Sequence, residues 1–111
     1  MITMNIRAGE KILFFRDELV VSIEAKGSSC MLNLKDGKSV PVDVNLEIIE
    51  SQLTNTAMLR VHPDFIVNMD HVAGIPDHAG DGLLMENGTR IPITEKTASQ
   101  LIRIIENHIN P

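Results

Sequence analysis

The 111 residues carry 10 Lys and Arg against 15 Asp and Glu, a formal net charge of −5, and 43% of them are apolar; this fits one domain with a modest core and excludes a disordered chain. Three Phe with no Tyr or Trp argue against a single-stranded nucleic-acid binder, because such proteins stack bases on aromatic rings. We expect no signal peptide, because residues 1–10 lack a basic segment followed by an apolar run. No apolar stretch approaches the roughly 20 residues that span a bilayer, and the single cysteine, Cys30, permits no internal disulfide. We therefore expect a cytoplasmic protein without a membrane partner.

Short strands are predicted along the first part of the chain, at residues 2–6, 11–15, 19–25, 30–35 and 39–44. Ala8-Gly9 is the expected first turn and residues 26–29 form an expected polar loop. Asp36-Gly37 predicts a hairpin, because both residue types tolerate a positive φ. Pro41 has no N–H to donate and therefore favours an edge strand.

A short helix is predicted at residues 46–53, where apolar residues recur at helical spacing and Glu47 and Glu50 lie on the other face. Asn45 is the expected N-cap, since its side chain can accept from an unpaired helix N–H, and Asn55 suits the helix end.

The second half of the chain alternates short apolar runs with turns. Strands are predicted at residues 58–61, 65–67, 72–75, 83–85 and 90–93. Asn87-Gly88 is a second hairpin signal, and His62 before Pro63 favours extended backbone. A C-terminal helix is expected after Thr94 as N-cap, with an apolar stripe of Ala98, Leu101, Ile102, Ile105 and Ile109.

This order predicts a mostly β chain of short strands in antiparallel sheets, with a mid-chain helix and a C-terminal helix. Helices do not alternate with strands, so a doubly wound α/β sheet is excluded. We expect residues 1–111 to form a single domain.

Five segments resemble the LytTR DNA-binding domain family, in the family's order and over nearly the whole chain. Residues 58–72 read MLRVHPDFIVNMDHV, similar to the family hallmark F-x-R-V-H-R-S-Y-I-V-N-x-x-x-I. Residues 23–25 resemble the family's I-E-A strand end. Residues 34–38 and 46–53 resemble its hairpin and short helix, and residues 86–94 resemble its N-G-x-x-I-P-V-S ending.

The resemblance implies an elongated fold of about ten strands in three sheets, whose loops enter successive major grooves of promoter DNA. It implies sequence-specific DNA binding for transcription regulation. The chain would be the output domain of a two-component response regulator or a stand-alone regulator, and a homodimer on repeated sites is compatible with both roles.

The family's three reading loops correspond here to residues 26–30, 62–64 and 94–96. Carried over residue by residue, the resemblance implies that Arg60 contacts phosphate and that His62 touches the DNA backbone or braces its loop. Thr94 stands where Ser is usual and could donate to phosphate. The remaining DNA-binding candidates are Lys26, Ser28, Ser29, Asn68 and Lys96, of which Asn68 is expected to hold local backbone geometry.

The reading loops also depart from the family pattern. Pro63 and Asp64 replace the usual Arg-Ser, and Glu95 replaces the usual Arg. An acidic side chain can accept from cytosine N4, but it also repels phosphate. The exchange therefore predicts either an altered sequence preference or lost DNA binding, whereas Leu59 and other core candidates (Val61, Phe65, Ile66, Val67 and Ile91) stay apolar.

Three alternatives stay open, for the function, for Arg60 and His62, and for the C-terminal helix. A LytTR-like domain without DNA binding could act as a protein–protein interaction or dimerisation module, which the net charge and the lost cations favour. Without the resemblance, Arg60 and His62 would be exposed residues of an edge strand. The C-terminal stripe should pack on the domain itself, although pairing with a second copy is an alternative.

Catalysis and metal binding are not expected. Asp70-His71 and Asp77-His78 are His–carboxylate neighbours, but adjacent residues on a strand point to opposite faces and would not converge on a metal. The chain has no H-E-x-x-H, C-x-x-C or G-x-S-x-G motif and no phosphate-binding glycine loop. We therefore expect no enzyme activity, no cofactor and no small-molecule substrate.

Overall fold

The computed structural model describes residues 3–53, 56–76 and 79–109. It is mostly β, as the sequence predicts. Ten strands and two α-helices occur among these residues: β1 (Thr3–Ala8), β2 (Lys11–Arg16), β3 (Val20–Lys26), β4 (Ser29–Leu34), β5 (Ser39–Val42), α1 (Leu46–Gln52), β6 (Met58–His62), β7 (Phe65–Asn68), β8 (Val72–Gly74), β9 (Leu83–Met85), β10 (Arg90–Ile91) and α2 (Glu95–Ile109).

The strands form three antiparallel sheets, in the orders β1-β2, β5-β4-β3-β7-β6 and β10-β9-β8. The chain divides into two compact units, residues 1–71 and 72–111. The first unit holds the two-stranded hairpin, the five-stranded sheet and α1. The second holds the three-stranded sheet and α2.

The core of the first unit lies on one face of the five-stranded sheet. Met4 and Ile6 of β1 and Leu46 and Ile49 of α1 join buried sheet residues in one apolar cluster. The other members of the cluster are Val20, Ile23, Cys30, Leu32, Val42 and Ile66. The hairpin and α1 are therefore held against the sheet mainly by aliphatic side chains, in a chain that has only three aromatic residues.

Local signals placed the turns and caps of this unit well. Gly37 has a φ of 90° in the β4–β5 turn, and Pro41 lies on β5, which is an edge strand. Asn45 caps α1 by accepting from the Ile48 N–H at 2.9 Å. The first turn differs from expectation by one residue: Ala8 pairs with Lys11, so Gly9 and Glu10 form the turn and Gly9 supplies its positive φ of 66°.

One predicted core residue is wrong, and several other predictions fall on residues that the structure does not describe. Leu59 was a core candidate, but it is 39% exposed, whereas Val61 of the same edge strand is 1% exposed. Arg60 points towards α1, so the adjacent Leu59 lies on the other face of the sheet, outside the apolar cluster. The expected roles of Ile2, Asn55, Asp77 and His78 fall outside the described residues, as do the side chains of Ile105 and Ile109.

The second unit is built from short elements. Asn87 and Gly88 connect β9 to β10 as predicted, with Gly88 at a φ of 87°. Gly82 sits where a Cβ would lie 2.9 Å from the carbonyl oxygen of Ile91, so this position requires glycine. Ala98 and Leu101 of the α2 stripe are buried, as expected. Within the described residues, neither helix combines the length and the apolar character that crossing a bilayer requires.

Candidate nucleic-acid interface

Two of the three predicted reading loops lie at the same end of the five-stranded sheet. Lys26 of β3 pairs with Ser29 of β4, which leaves Gly27 and Ser28 as the turn. On the other side of β3, Glu24 pairs with Phe65 of β7. The turn formed by Pro63 and Asp64 therefore lies beside the first one.

A backbone hydrogen bond fixes this neighbourhood: the Ala25 N–H donates to the Asp64 carbonyl oxygen at 2.8 Å. We call this end of the sheet, with the turn residues Gly27, Ser28, Pro63 and Asp64, the tip end. The turn between β4 and β5 lies at the opposite end of the sheet, because β4 runs from one end to the other.

The first loop presents small polar groups on a tight turn. Gly27 has a φ of 64°, a conformation that residues with a side chain rarely adopt. Ser28 is exposed, and Ser29 Oγ donates to the Lys26 carbonyl oxygen at 3.1 Å. Lys26 is exposed and pairs with Glu24 at 3.2 Å. Such an exposed pair contributes little stability, so Lys26 can exchange its partner at low cost.

The second loop is braced from within. His62 Nδ1 accepts from the Asp64 N–H at 3.1 Å, and the His62 ring meets the Phe65 ring edge to face at 5.9 Å between centroids. The register of β6 against β7 shifts between Arg60 and His62, and such a bulge re-aims the strand end. His62 therefore braces the loop while Asp64 stays exposed at the turn.

Arg60 is held by contacts inside the protein. Its guanidinium pairs with Glu47 at 3.0 Å and Glu50 at 2.9 Å on α1. It also donates to the carbonyl oxygens of His62 and Pro63. With four partners and a side chain only 21% exposed, Arg60 fastens the second loop to α1.

The hydrogen bond from Arg60 holds the pKa of the Glu47 carboxyl below its ordinary value. Glu47 is therefore a carboxylate near neutral pH, as the ion pair requires. On β4, burial raises the pKa of the Cys30 thiol, which keeps the side chain in the unreactive thiol form.

Asn68 is buried, with 1% of its surface exposed. Its amide donates to the carbonyl oxygens of Asp17 and Val20, each at 3.0 Å. Its side-chain oxygen accepts from the Asp70 N–H at 2.9 Å. This geometry matches the structural role that the sequence favoured and leaves Asn68 out of reach of a ligand on the surface.

The third loop belongs to the second unit and opens α2. Thr94 Oγ1 accepts from the Thr97 N–H at 3.1 Å and hydrogen-bonds to Thr97 Oγ1 at 2.9 Å, which makes Thr94 the N-cap that the sequence predicted. Lys96 is exposed in the first helical turn beside Glu95. The N–H groups of Thr97 and Ala98 already donate to Thr94, and the positive end of the helix dipole together with Lys96 favours an anion there.

Sequence reasoning missed the partners of the cations. Glu24, Glu47 and Glu50 were read as solvent-facing residues or not singled out, although they pair with Lys26 and Arg60. The helical spacing of Glu47 and Glu50 shows that they share a face, but it does not show which strand that face meets.

In the described part of the chain, which excludes Asp77 and His78, no group of three or more His, Cys, Asp or Glu side chains could hold a metal ion. His71 is buried and its Nε2 meets the Glu18 carbonyl oxygen. That contact explains this histidine structurally.

The chain resembles known proteins both in fold and in sequence. The solved structure of a LytTr DNA-binding domain from Bacillus cereus superposes with a TM-score of 0.70 at 23% identity, over 93% of this chain and 95% of that one. This likeness shows the fold.

Two sequence relatives, both described as sensory transduction protein LytT, come from Bacillus subtilis and Bacillus cereus. The first is 29% identical over 69 residues, 60% of this chain, and the second is 29% identical over 62 residues, 54% of this chain. The matches account for only 29% and 25% of the relatives' lengths. The profile of the LytTr DNA-binding domain matches residues 10–106, and the chain therefore belongs to this family.

Proposed function

We propose that the chain binds double-stranded DNA in the major groove and reads its sequence to regulate transcription. The observation that carries this proposal is the strand register that places two reading loops side by side at the tip end of the sheet. Side chains on short turns behind rigid strands can enter a groove without the cost of ordering a flexible loop.

Four polar residues at or beside the tip end would contact DNA in this proposal. Lys26 exchanges Glu24 for a phosphate, which changes one exposed ion pair for another. Ser28 and Ser29 offer hydroxyl groups to phosphate or base edges. Asp64 accepts from the amino group of cytosine, so the exchange of a family cation for an acid alters the preferred sequence rather than abolishing binding.

Arg60, His62 and Asn68 act through the backbone in this proposal. Arg60 and His62 hold the second loop in shape, and Asn68 holds the start of β3. In the second unit, Lys96 and the positive end of the α2 dipole attract phosphate, and Thr94 keeps that helix end formed.

The family and the relatives support a place as the output part of a response regulator. Two copies binding at repeated sites is a further part of our proposal. The competing proposal is a protein-interaction module without DNA binding. Net charge −5 and the pairing of both Lys26 and Arg60 with carboxylates favour it, since phosphate binding needs available cations.

Fluorescence anisotropy of the purified protein against pooled genomic duplexes, titrated across salt, tests the proposal. DNA binding predicts a log–log salt slope of about 0.9 per phosphate neutralised. Selection from a random duplex pool should then yield one consensus sequence.

Matched lysine variants show whether the tip end is the contact. Lys26→Ala should lower the slope by about one contact, whereas Lys38→Ala, on the β4–β5 turn at the opposite end of the sheet, should leave it unchanged. Absence of binding at low salt by a folded protein would favour the interaction module.

A further inference from the structure

The strand β2 has an edge that pairs with no other strand of the described residues. It carries neither proline nor a bulge, and its two charged residues, Lys11 and Arg16, lie at its ends. In the described part of the chain, β2 pairs with β1 alone, through six residue pairs without a register shift. The edges of the five-stranded sheet differ: β5 carries Pro41, and β6 carries the bulge after Arg60. Proline and bulges keep edges from pairing with other chains.

Apolar side chains lie on the outward face of this edge strand. Phe14 is 68% exposed and Ile12 is 43% exposed, although the whole chain has only three aromatic residues. The hydrophobic cost of leaving both in water is relieved when another strand lies beside them.

The hairpin geometry shows which backbone groups are available. Ala8 and Lys11 flank a two-residue turn and pair with one another. Residues flanking such a turn exchange their hydrogen bonds, and the pattern then alternates along the strand. Leu13 therefore directs its N–H and C=O towards β1, whereas Ile12 and Phe14 direct theirs to the free edge.

The sequence of this strand is self-complementary in one antiparallel register. If Leu13 lies opposite Leu13 of a second copy, each Ile12 lies opposite a Phe14. Glu10, the turn residue just before β2, then comes next to Arg16 of the other copy, which in its own chain pairs with the exposed Glu18 at 3.7 Å. The backbone groups at the free edge then pair with one another. A shift by two residues places Phe14 opposite Phe14 and Ile12 opposite Arg16, which leaves Glu10 without its cation.

A groove beside this edge can receive the inward side chains of a second strand. It has a volume of about 500 Å³ and lies between the hairpin and β5. Its lining includes Leu13 on one side and Val40, Pro41 and Val42 on the other. An incoming Leu13 would be placed at this apolar surface.

We infer that a second copy of this chain adds its β2 strand to the free edge of β2, antiparallel and centred on Leu13. The contact is symmetric, because each copy offers the same strand. It buries less area than a permanent dimer and forms with a dissociation constant of roughly 10–100 μM. It requires no DNA, so its test is independent of the proposed function.

Sedimentation velocity over a concentration series, without DNA, measures this association. Phe14→Asp should raise the dissociation constant at least about tenfold, because it places a charge opposite Ile12. Ile104→Asp is the matched control, since Ile104 is 60% exposed on α2, and it should leave the constant unchanged. A wild-type protein that stays monomeric at ~500 μM, well above that dissociation constant, or a Phe14→Asp variant that associates like wild type, would overturn the inference.

A charge exchange tests the register with exposed residues only. Glu10→Arg should weaken association about tenfold, and Glu10→Arg combined with Arg16→Glu should restore it, because the pair is then reversed in both copies. Failure of the double variant to recover would contradict the register.

Cysteine cross-linking gives a second test of the register. Leu13→Cys should form a disulfide-linked dimer under mild oxidation, because opposed residues of a pair without mutual hydrogen bonds lie about 4.5 Å apart between Cα atoms. The native Cys30 is buried, so the wild-type protein gives the amount of cross-linking that occurs without the new cysteine. Cross-linking by Phe14→Cys instead of Leu13→Cys would replace this register with the shifted one.

Discussion

Arg60 occupies the position of the arginine in the family hallmark. It makes four hydrogen bonds next to the tip end. Its pairs with Glu47 and Glu50, and its bonds to the carbonyl oxygens of His62 and Pro63, give the guanidinium four hydrogen bonds from its five N–H donors. A residue that is conspicuous in a motif can therefore serve the loop rather than the ligand, and stability measurements separate the two roles.

Arg60→Ala is expected to lower the free energy of unfolding by about 1–2 kcal/mol, because it removes hydrogen bonds to charged and backbone groups together. Urea denaturation measures this change. Lys26→Ala, which breaks one exposed pair, should change the free energy by less than about 0.5 kcal/mol. Equal effects of the two variants would contradict the loop-fastening role.

The Arg60–Glu47 contact predicts a pH dependence. The pKa of Glu47 is lower in the folded chain than its ordinary value, so the folded state binds fewer protons than the unfolded state as Glu47 titrates. The stabilisation is present at neutral pH and is lost as the pH falls through the folded-state pKa. The stability difference between wild type and Glu47→Gln, measured by urea denaturation at each pH, should shrink on acidification, and a constant difference would argue against it.

Asn68→Ala should lower the free energy of unfolding by about 2–3 kcal/mol, because it leaves buried carbonyl groups without their donor. The remaining folded protein should bind DNA with unchanged affinity, which anisotropy on the folded fraction measures. Lost affinity in a fully folded Asn68→Ala protein would instead place Asn68 at the DNA.

At the scale of elements, the sequence predicted the features that depend on residues close together in the chain, such as turns and helix caps. The hairpins at Asp36-Gly37 and Asn87-Gly88, the caps Asn45 and Thr94, and the edge position of Pro41 are all confirmed. Periodicity and turn chemistry act over a few residues, so they locate strands and ends. They do not specify that β3 lies between β4 and β7, which joins two of the reading loops.

The acidic residues on the reading loops lead to a prediction at this scale. Asp64→Asn should raise the affinity for duplexes outside the selected consensus several-fold by removing repulsion from phosphate, and should weaken the preference for cytosine. Glu95→Arg should steepen the log–log salt slope by about 0.9. Salt-dependent anisotropy measures these effects.

Asp36→Asn is the matched control, because Asp36 lies on the β4–β5 turn at the opposite end of the sheet and accepts from the Lys38 N–H. Asparagine can keep that bond while the net charge changes equally. If Asp36→Asn raised affinity as much as Asp64→Asn, the effect would come from net charge alone.

At the scale of the whole molecule, composition predicted a modest apolar core with few aromatic residues, but it argued against DNA as the ligand. Net charge −5 describes the average surface, whereas DNA contact depends on the few residues at the loops. The resemblance identified the family and predicted which loops contact DNA. Neither approach revealed that Lys26 and Arg60 are paired with carboxylates, since long-range partners leave no periodic signal.

The measurement that tests the central claim most directly is a ¹H–¹⁵N NMR titration of the protein with a selected duplex. The account predicts amide shifts concentrated at Gly27, Ser28, Ser29, Asp64 and Lys96, with little change at Asp36 and Gly37 on the β4–β5 turn. Shifts concentrated on that opposite turn, or none at low salt with a folded protein, would contradict it.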